Sequence, residues 1–286
     1  MTDPNDELFG DVMETSSIEA AAEYPAVVVG EPYDGAVIGR PGAAEAPDAI
    51  RQALASVKTH HFEAGPVGRL ADVGNLPIAR ETVAETQDAI AEQVAPLYAS
   101  FPVFLGGDNA CTVGNVTPLL DDATGVISFD AHLDCRAGEP SSGTPYRQLR
   151  DRGLDALAVV GARHFETSTP YAEYLDEWGT VVTAEAVGRD SEDALDTAFD
   201  ALDGVERIFL SLDCDVLDAS AAPGVSAPTP GGLTTRELFS LLHEAASDPR
   251  VAGFEVVECA PPLDREEMTV RAAARAVAHV LAGVSR

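Results

Sequence analysis

The sequence predicts a three-layer α/β/α domain built on a central, mostly parallel sheet, and three observations predict it. Short β-branched, apolar runs alternate with amphipathic helical stretches along the chain. The runs are apolar almost without interruption, as strands covered on both faces must be. Acidic and polar residues follow several of them directly, at the carboxyl edge where open α/β sheets bind ligands.

Taken in order, residues 1–22 read as a polar arm. Strands are expected at 26–30, 102–106, 125–130, 156–161, 181–183, 207–213 and 253–257. Helical stretches lie between them near 46–57, 82–98, 112–119, 191–202 and 234–246, with a last one near 266–283. No Pro/Gly/Ser-rich linker and no internal repeat divides the chain, so 23–286 is expected to be one domain. A length of 286 residues at 45% hydrophobic content is ample for one large core.

The charge balance is extreme, with 18 Lys+Arg against 48 Asp+Glu and a net charge of −30. Lys58 is the single lysine, so nearly all the positive charge is arginine. Such an excess argues against nucleic acid or an anionic membrane as a partner. It suits a protein that stays hydrated in concentrated salt, where the Debye length shrinks to about 3 Å and self-repulsion is tolerable. A halophilic source follows as an expectation. Cys111, Cys135, Cys214 and Cys259 have no CxxC spacing and read as small buried apolar residues. The acidic, polar N-terminus is no signal peptide, and no apolar stretch is long enough to span a bilayer, which points to the cytoplasm.

Two segments carry the chemistry. Asp130-Ala131-His132-Leu133-Asp134 and Asp213-Cys214-Asp215 each place metal-liking side chains at every second position behind an apolar run. On a strand, alternate residues share a face, so Asp130, His132 and Asp134 can converge, as can Asp213 and Asp215. Four converging carboxylates repel one another unless a cation neutralises them. Oxygen ligands with one imidazole suit Mn²⁺ or a similar ion better than a thiolate-bound zinc. Acidic strand ends facing solvent would explain neither the alternation nor the histidine. Gly106-Gly107-Asp108-Asn109 and Glu258 follow two further strands, so four distant segments bring polar groups to one sheet edge. The chain has no G-x-S-x-G elbow, no G-x-G-x-x-G and no phosphate-binding loop ahead of Lys58, which removes support for serine-nucleophile, nicotinamide and P-loop chemistry.

These residues resemble the ureohydrolase superfamily of arginases, agmatinases and formimidoylglutamases. The likeness runs from VVVGEPYDGAVIGRPGA (27–43) through FLGGDN (104–109), SFDAHLD (128–134), SLDCDVLD (211–218) and APGVSAPTPGGLT (222–234) to FEVVECAPPLD (254–264). The resemblance implies an arginase-like fold, two bridged Mn²⁺ ions, hydrolysis of a guanidino or amidino carbon, and a homo-oligomer, trimer or hexamer. It makes Asp130 and Asp213 the bridging carboxylates. His132 and Asp215 would complete one metal, and Asp134 would ligate the other and orient the attacking water. Glu258 would receive the cationic end of the substrate.

Two departures narrow the reading. Asn109 stands where most of the superfamily carries a ligand histidine, and an amide oxygen binds a cation more weakly than imidazole does. Ser142 stands where arginases and agmatinases carry a proton-shuttling histidine. Asp134-Cys135-Arg136 followed by SSGTPYRQ resembles the formimidoylglutamase branch. That resemblance implies a dicarboxylate amidine, N-formimidoyl-L-glutamate, cleaved to L-glutamate and formamide. Arginine grips carboxylates bidentately, so Arg136, Arg147 and Arg163, with Ser142 and Thr144, are the candidate substrate residues. The alternatives are another amidinohydrolase, acting on agmatine or a guanidino acid, and a metal-poor, non-catalytic homologue.

Overall fold

The computed structural model describes residues 5–285, and its alternating strand residues feed two separate apolar cores. Ile127 and Phe129, Leu210 and Leu212, and Phe254 and Val256 face one core; Val126, Phe209 and Phe104 face the other. This is period-two geometry with apolar side chains at both phases, and it explains why the runs read as continuous.

The strands among the described residues are β1 (Met13–Thr15), β2 (Ala26–Gly30), β3 (His60–His61), β4 (Gly65–Pro66), β5 (Leu70–Asn75), β6 (Phe101–Leu105), β7 (Thr124–Phe129), β8 (Ala156–Ala162), β9 (Gly179–Thr183), β10 (Arg207–Asp213) and β11 (Val251–Val257). The α-helices are α1 (Phe9–Val12), α2 (Ala46–Leu54), α3 (Val83–Val94), α4 (Cys111–Val116), α5 (Pro145–Arg152), α6 (Thr169–Asp176), α7 (Ala184–Arg189), α8 (Ser191–Asp200), α9 (Thr235–Ala245) and α10 (Met268–Val284). Nine of the strands form one sheet in the order β1-β5-β2-β6-β11-β10-β7-β8-β9. Every pairing within it is parallel. Residues of α2, α8, α9 and α10 fill one core, and residues of α3, α4 and α5 the other, giving three layers.

All seven expected strands and all six expected helices are present, within a few residues at their ends. Outside those expectations lie β1, β5, the small β3–β4 hairpin and the helices α1, α5, α6 and α7. The Leu70–Asn75 strand contains Asp72, Gly74 and Asn75, and its pairing with β2 comes from tertiary contact, not from apolar patterning. Within the 1–22 arm, the strand Met13–Thr15 extends the sheet beside β5, and Phe9 is buried with its backbone N–H bonded to the Val57 carbonyl. Residues 1–4 of that arm lie outside the described range. All four cysteines are buried and free. No described helix is long and apolar enough to cross a membrane.

Three histidines pack where α9, α10 and the β3–β4 hairpin meet. The rings of His61 and His243 stack at 4.2 Å, and Phe239 stacks on His279 at 4.9 Å. Burial first, and then the charges of His61, His243 and Arg275, pull His279 down to about 4. The folded state therefore holds His279 neutral where the unfolded chain binds a proton. Its stabilising contribution is complete above the unfolded value of about 6.5 and is lost as pH falls towards 4. Discounted for partial solvation, the loss is on the order of 2 kcal/mol. Urea titrations at pH 7 and pH 5 in molar KCl should show a smaller drop for His279→Gln than for the wild type, and equal drops would exclude this origin.

Candidate metal centre and substrate cleft

The four strands that end in candidate site residues, β6, β11, β10 and β7, are consecutive neighbours at the middle of the sheet. Leu212 of β10 pairs with Phe129 of β7, and Asp213 pairs with Val257 of β11. Asp130, Asp213 and Glu258 therefore leave the sheet at nearly the same level, although their segments are far apart in the chain.

The convergence expected from strand alternation occurs, but turns produce it. Strand β7 stops at Phe129, and Asp130 accepts a 2.7 Å hydrogen bond from the backbone N–H of His132. Strand β10 stops at Asp213, whose carboxylate accepts a 2.9 Å bond from the backbone N–H of Asp215 at the start of a 3₁₀ turn. Each D-x-[H/D] motif is thus a tight turn in which the first aspartate's side chain bonds the backbone two residues on. Asp134 closes the first segment with φ of 40°, and Glu258 leaves β11 with φ of 60°. Both are non-glycine residues in the left-handed region, a conformation that costs energy and is kept where the surroundings require it. Gly107 is needed for contact: a Cβ there would overlap the Tyr33 carbonyl oxygen that accepts the Asp108 N–H. Asp108 is fully buried and accepts from the backbone N–H groups of Ala36 and Ala110, which fastens the 31–42 loop over the end of β6.

Side-chain atoms converge in two groups. Ligand atoms of Asp130, His132 and Asp215 lie within 4.8 Å of one another, and so do those of Asp130, Asp134 and Asp213. Asp130 is common to both. The His132 Nδ1 is 3.1 Å from Asp215 Oδ2 and 3.5 Å from Asp130 Oδ1, while its Nε2 faces Glu166 at 3.6 Å. Burial, with the charges of neighbouring carboxylates, pushes Asp130, Asp134 and Asp213 above the usual carboxylate range. Burial opposes protonation of His132, but Asp130 and Asp215 outweigh it and push the imidazole up to about 12. One oxygen of Asp130, Oδ2, is buried with no hydrogen-bond partner. An oxygen-rich set with one imidazole, excess negative charge and an orphaned carboxylate oxygen fits a pair of hard or borderline cations sharing Asp130.

The remaining candidates divide between the cleft and its supports. Asn109 is buried; its Nδ2 donates to Asp134 Oδ2 at 2.6 Å, and its backbone N–H donates to Glu258 Oε1 at 3.0 Å. Burial and the charge of Asp108 raise the Glu258 carboxyl above its usual range. Arg136 lines a cleft of about 390 Å³ together with His132, Asp134, Phe165, Glu166 and Tyr171. Among the described residues its guanidinium has no acidic partner, although the chain carries 48 acids.

The other four candidates are placed differently. The Ser142 hydroxyl accepts from the Ile38 N–H, and the Thr144 hydroxyl is held by Ser141 and Gln148 at the start of α5. Arg147 stacks its guanidinium 3.6 Å over the Tyr174 ring and donates to the Cys135 carbonyl. Arg163 is buried beneath the ligand turns and donates to the carbonyls of Asp215, Leu217 and Thr229. Arg163 therefore fixes the backbone of a ligand aspartate and does not enter the cleft. Glu166 and Thr112 were not singled out from sequence, since a Glu in a chain rich in acids and a Thr inside a helix give no signal. A larger groove, about 690 Å³ and lined by residues of α2 and α10, contains none of the candidate ligands.

Comparison with known proteins agrees with this arrangement. The arginase family model matches residues 24–283. A formimidoylglutamase of Halobacterium salinarum is 57% identical over 293 residues, covering 99% of this chain and 95% of that protein. A formimidoylglutamase of Bacillus subtilis is 34% identical, covering 90% and 86%. The crystal structure of the Bacillus subtilis formimidoylglutamase superposes with a TM-score of 0.92 at 31% identity, covering 99% of this chain and 93% of that one. A Trypanosoma cruzi formiminoglutamase solved with Mn²⁺ superposes with a TM-score of 0.88 at 27% identity, covering 98% and 99%. With this sequence match spanning nearly the whole chain, and with two carboxylate groups sharing Asp130 at the centre of a parallel sheet, the chain belongs to the arginase family.

Proposed function

We propose that this protein hydrolyses N-formimidoyl-L-glutamate to L-glutamate and formamide with two Mn²⁺ ions held by Asp130, His132, Asp134, Asp213, Asp215 and Asn109. Arg136 is the observation that carries the substrate. Among the described residues it is an arginine with no acidic partner, at the rim of a carboxylate-rich cleft. Its natural counterpart is a carboxylate brought by the ligand. The similarity to formimidoylglutamases over nearly the whole chain supports the same assignment.

When bound, the two cations would supply a water of lowered pKa as the nucleophile and would stabilise the charge that develops at the carbon under attack. Glu258, oriented by the Asn109 N–H, receives the cationic amidine and holds the formimidoyl carbon over the carboxylate cluster. Asp134 is placed to take the proton of the attacking water and to return it to the departing α-amine of glutamate. It serves here because Ser142 stands at the position of the histidine shuttle, and its hydroxyl is engaged by Ile38. Arg136 anchors a substrate carboxylate, which fixes the reacting carbon without taking part in bond making. Family membership also supports a homo-oligomer of three or six chains in the cytoplasm, with neither nucleic acid nor membrane as a partner.

Metal-stripped protein, reloaded with Mn²⁺ in molar KCl, should release glutamate and formamide from N-formimidoyl-L-glutamate and leave agmatine and arginine untouched. Turnover of a guanidino substrate alone would assign the site to another amidinohydrolase instead. Arg136→Ala should raise KM by about 10- to 100-fold with a smaller change in kcat, and Arg136→Lys should recover part of the loss. An unchanged KM would remove Arg136 from the substrate.

A further inference from the structure

We propose that Glu255, acting through the Thr112 hydroxyl, determines which atom of the Asn109 side-chain amide faces the metal centre. This rests on the reading above in which Asn109 is a ligand. Glu255 lies within β11, fully buried, and takes no part in the chemistry just described. Its Oε1 accepts from the hydroxyls of Thr112 and Ser211, each at 2.6 Å, and its Oε2 accepts from the Asn115 amide at 2.9 Å. On its other side the Thr112 oxygen lies 2.7 Å from Asn109 Oδ1, and the amide NH₂ is turned to Asp134.

The position of one proton decides the orientation. Thr112 has one hydroxyl proton and two close neighbours that could accept it. When Glu255 takes that proton, the Thr112 oxygen can act towards Asn109 only as an acceptor. The amide must then turn its NH₂ to Thr112, which turns its oxygen to Asp134 and the cations. When Asn109 Oδ1 takes the proton instead, the NH₂ faces the centre and donates to Asp134 Oδ2. The two arrangements differ by a half-turn of a nearly symmetric amide, so almost nothing else has to move. An NH₂ group cannot ligate a cation, and only the first arrangement gives the second metal its full donor set. A histidine at this position presents no such choice between an amide oxygen and an amide NH₂. Glu255 is therefore a positioning residue whose need arises from having Asn at 109.

Mn²⁺ titration by calorimetry, with EPR of the spin-coupled pair, tests this on the folded protein in molar KCl. In Glu255→Gln the Asn115 NH₂, held by Glu31, keeps the glutamine oxygen at the Oε2 position, so the new NH₂ faces Thr112, drives the hydroxyl proton onto Asn109 Oδ1 and turns the Asn109 NH₂ towards the centre. One of the two Mn²⁺ ions should then bind at least ten-fold more weakly, and the coupled signal should give way to that of an isolated ion. Thr112→Val should weaken the same ion, and Thr112→Ser should restore it. In an Asn109→Asp background, where the two oxygens are equivalent, Thr112→Val should change Mn²⁺ affinity less than three-fold. The proposal is overturned if Glu255→Gln or Thr112→Val, with wild-type Tm, keeps both ions at wild-type affinity with the coupled signal intact. An equal loss from Thr112→Val in the Asn109→Asp background would overturn it too, by showing a purely structural role. Should Glu255→Gln not fold, the Thr112 series decides alone. A wild type that binds fewer than two Mn²⁺ ions would overturn the dinuclear reading itself, a result separate from any difference among variants.

Discussion

Asp130→Asn should abolish tight Mn²⁺ binding and lower kcat/KM by at least about 10³, while raising the Tm of the metal-free protein. The two effects have opposite signs because Asp130 does two things. It is common to both ligand groups, so neutralising it weakens both cation positions together. Without metal it is a buried carboxylate pressed against Asp215, with one oxygen unpartnered. Asparagine keeps the shape, still accepts the His132 N–H and removes a charge from a cluster that repels itself. The gain for the metal-free form is a rise in Tm limited by the lost attraction between Asp130 and His132, which offsets part of the relief. Differential scanning calorimetry with and without Mn²⁺ reads both halves: Mn²⁺ should raise the wild-type Tm and leave the variant's unchanged. A variant whose metal-free form melts lower than the wild type would show that the cluster is not frustrated.

Glu258→Gln should lower kcat/KM by about 10²–10³ and leave Mn²⁺ stoichiometry intact. Glutamine retains an oxygen to accept the Asn109 backbone N–H, so the left-handed turn after β11 and the placement of the side chain are preserved. What disappears is the negative charge facing the amidine. The comparison with Asp130→Asn separates metal binding from substrate charge, since only the latter is altered here. Near wild-type turnover with both ions bound would mean that another group receives the cationic end of the substrate.

Much of this protein was legible in its sequence, and for a definite reason. Strands buried on both faces have apolar residues at both phases, so Val126–Phe129, Ile208–Leu212 and Phe254–Val257 announce themselves as nearly continuous apolar runs, each broken by one buried polar residue, Ser128, Ser211 or Glu255. A polar residue at the end of such a run has been carried to the sheet edge by the strand itself. The sequence alone therefore places Asp130, Asp213, Asn109 and Glu258 at one edge. Elements with weaker patterns escaped: the strand Leu70–Asn75 and the helix Pro145–Arg152 are held by neighbours and not by their own periodicity.

The sequence by itself determined the layer architecture, the sheet edge that carries chemistry and the residue types gathered there, because these depend on local period and on strand polarity. Tertiary structure alone decided three further things. Insertion of β10 and β11 between β6 and β7 made the four ligand-bearing strands neighbours, a matter of topology to which no local pattern is sensitive. Turns bonded from aspartate side chains to the backbone, not pleat alternation, aimed the ligands, because β7 ends at Phe129, before Asp130, and β10 ends at Asp213, two residues short of Asp215. Among the described residues Arg136 was left without an acidic partner at the cleft while Arg163 was buried against backbone carbonyls, a division that identical guanidinium groups cannot reveal until their surroundings are built.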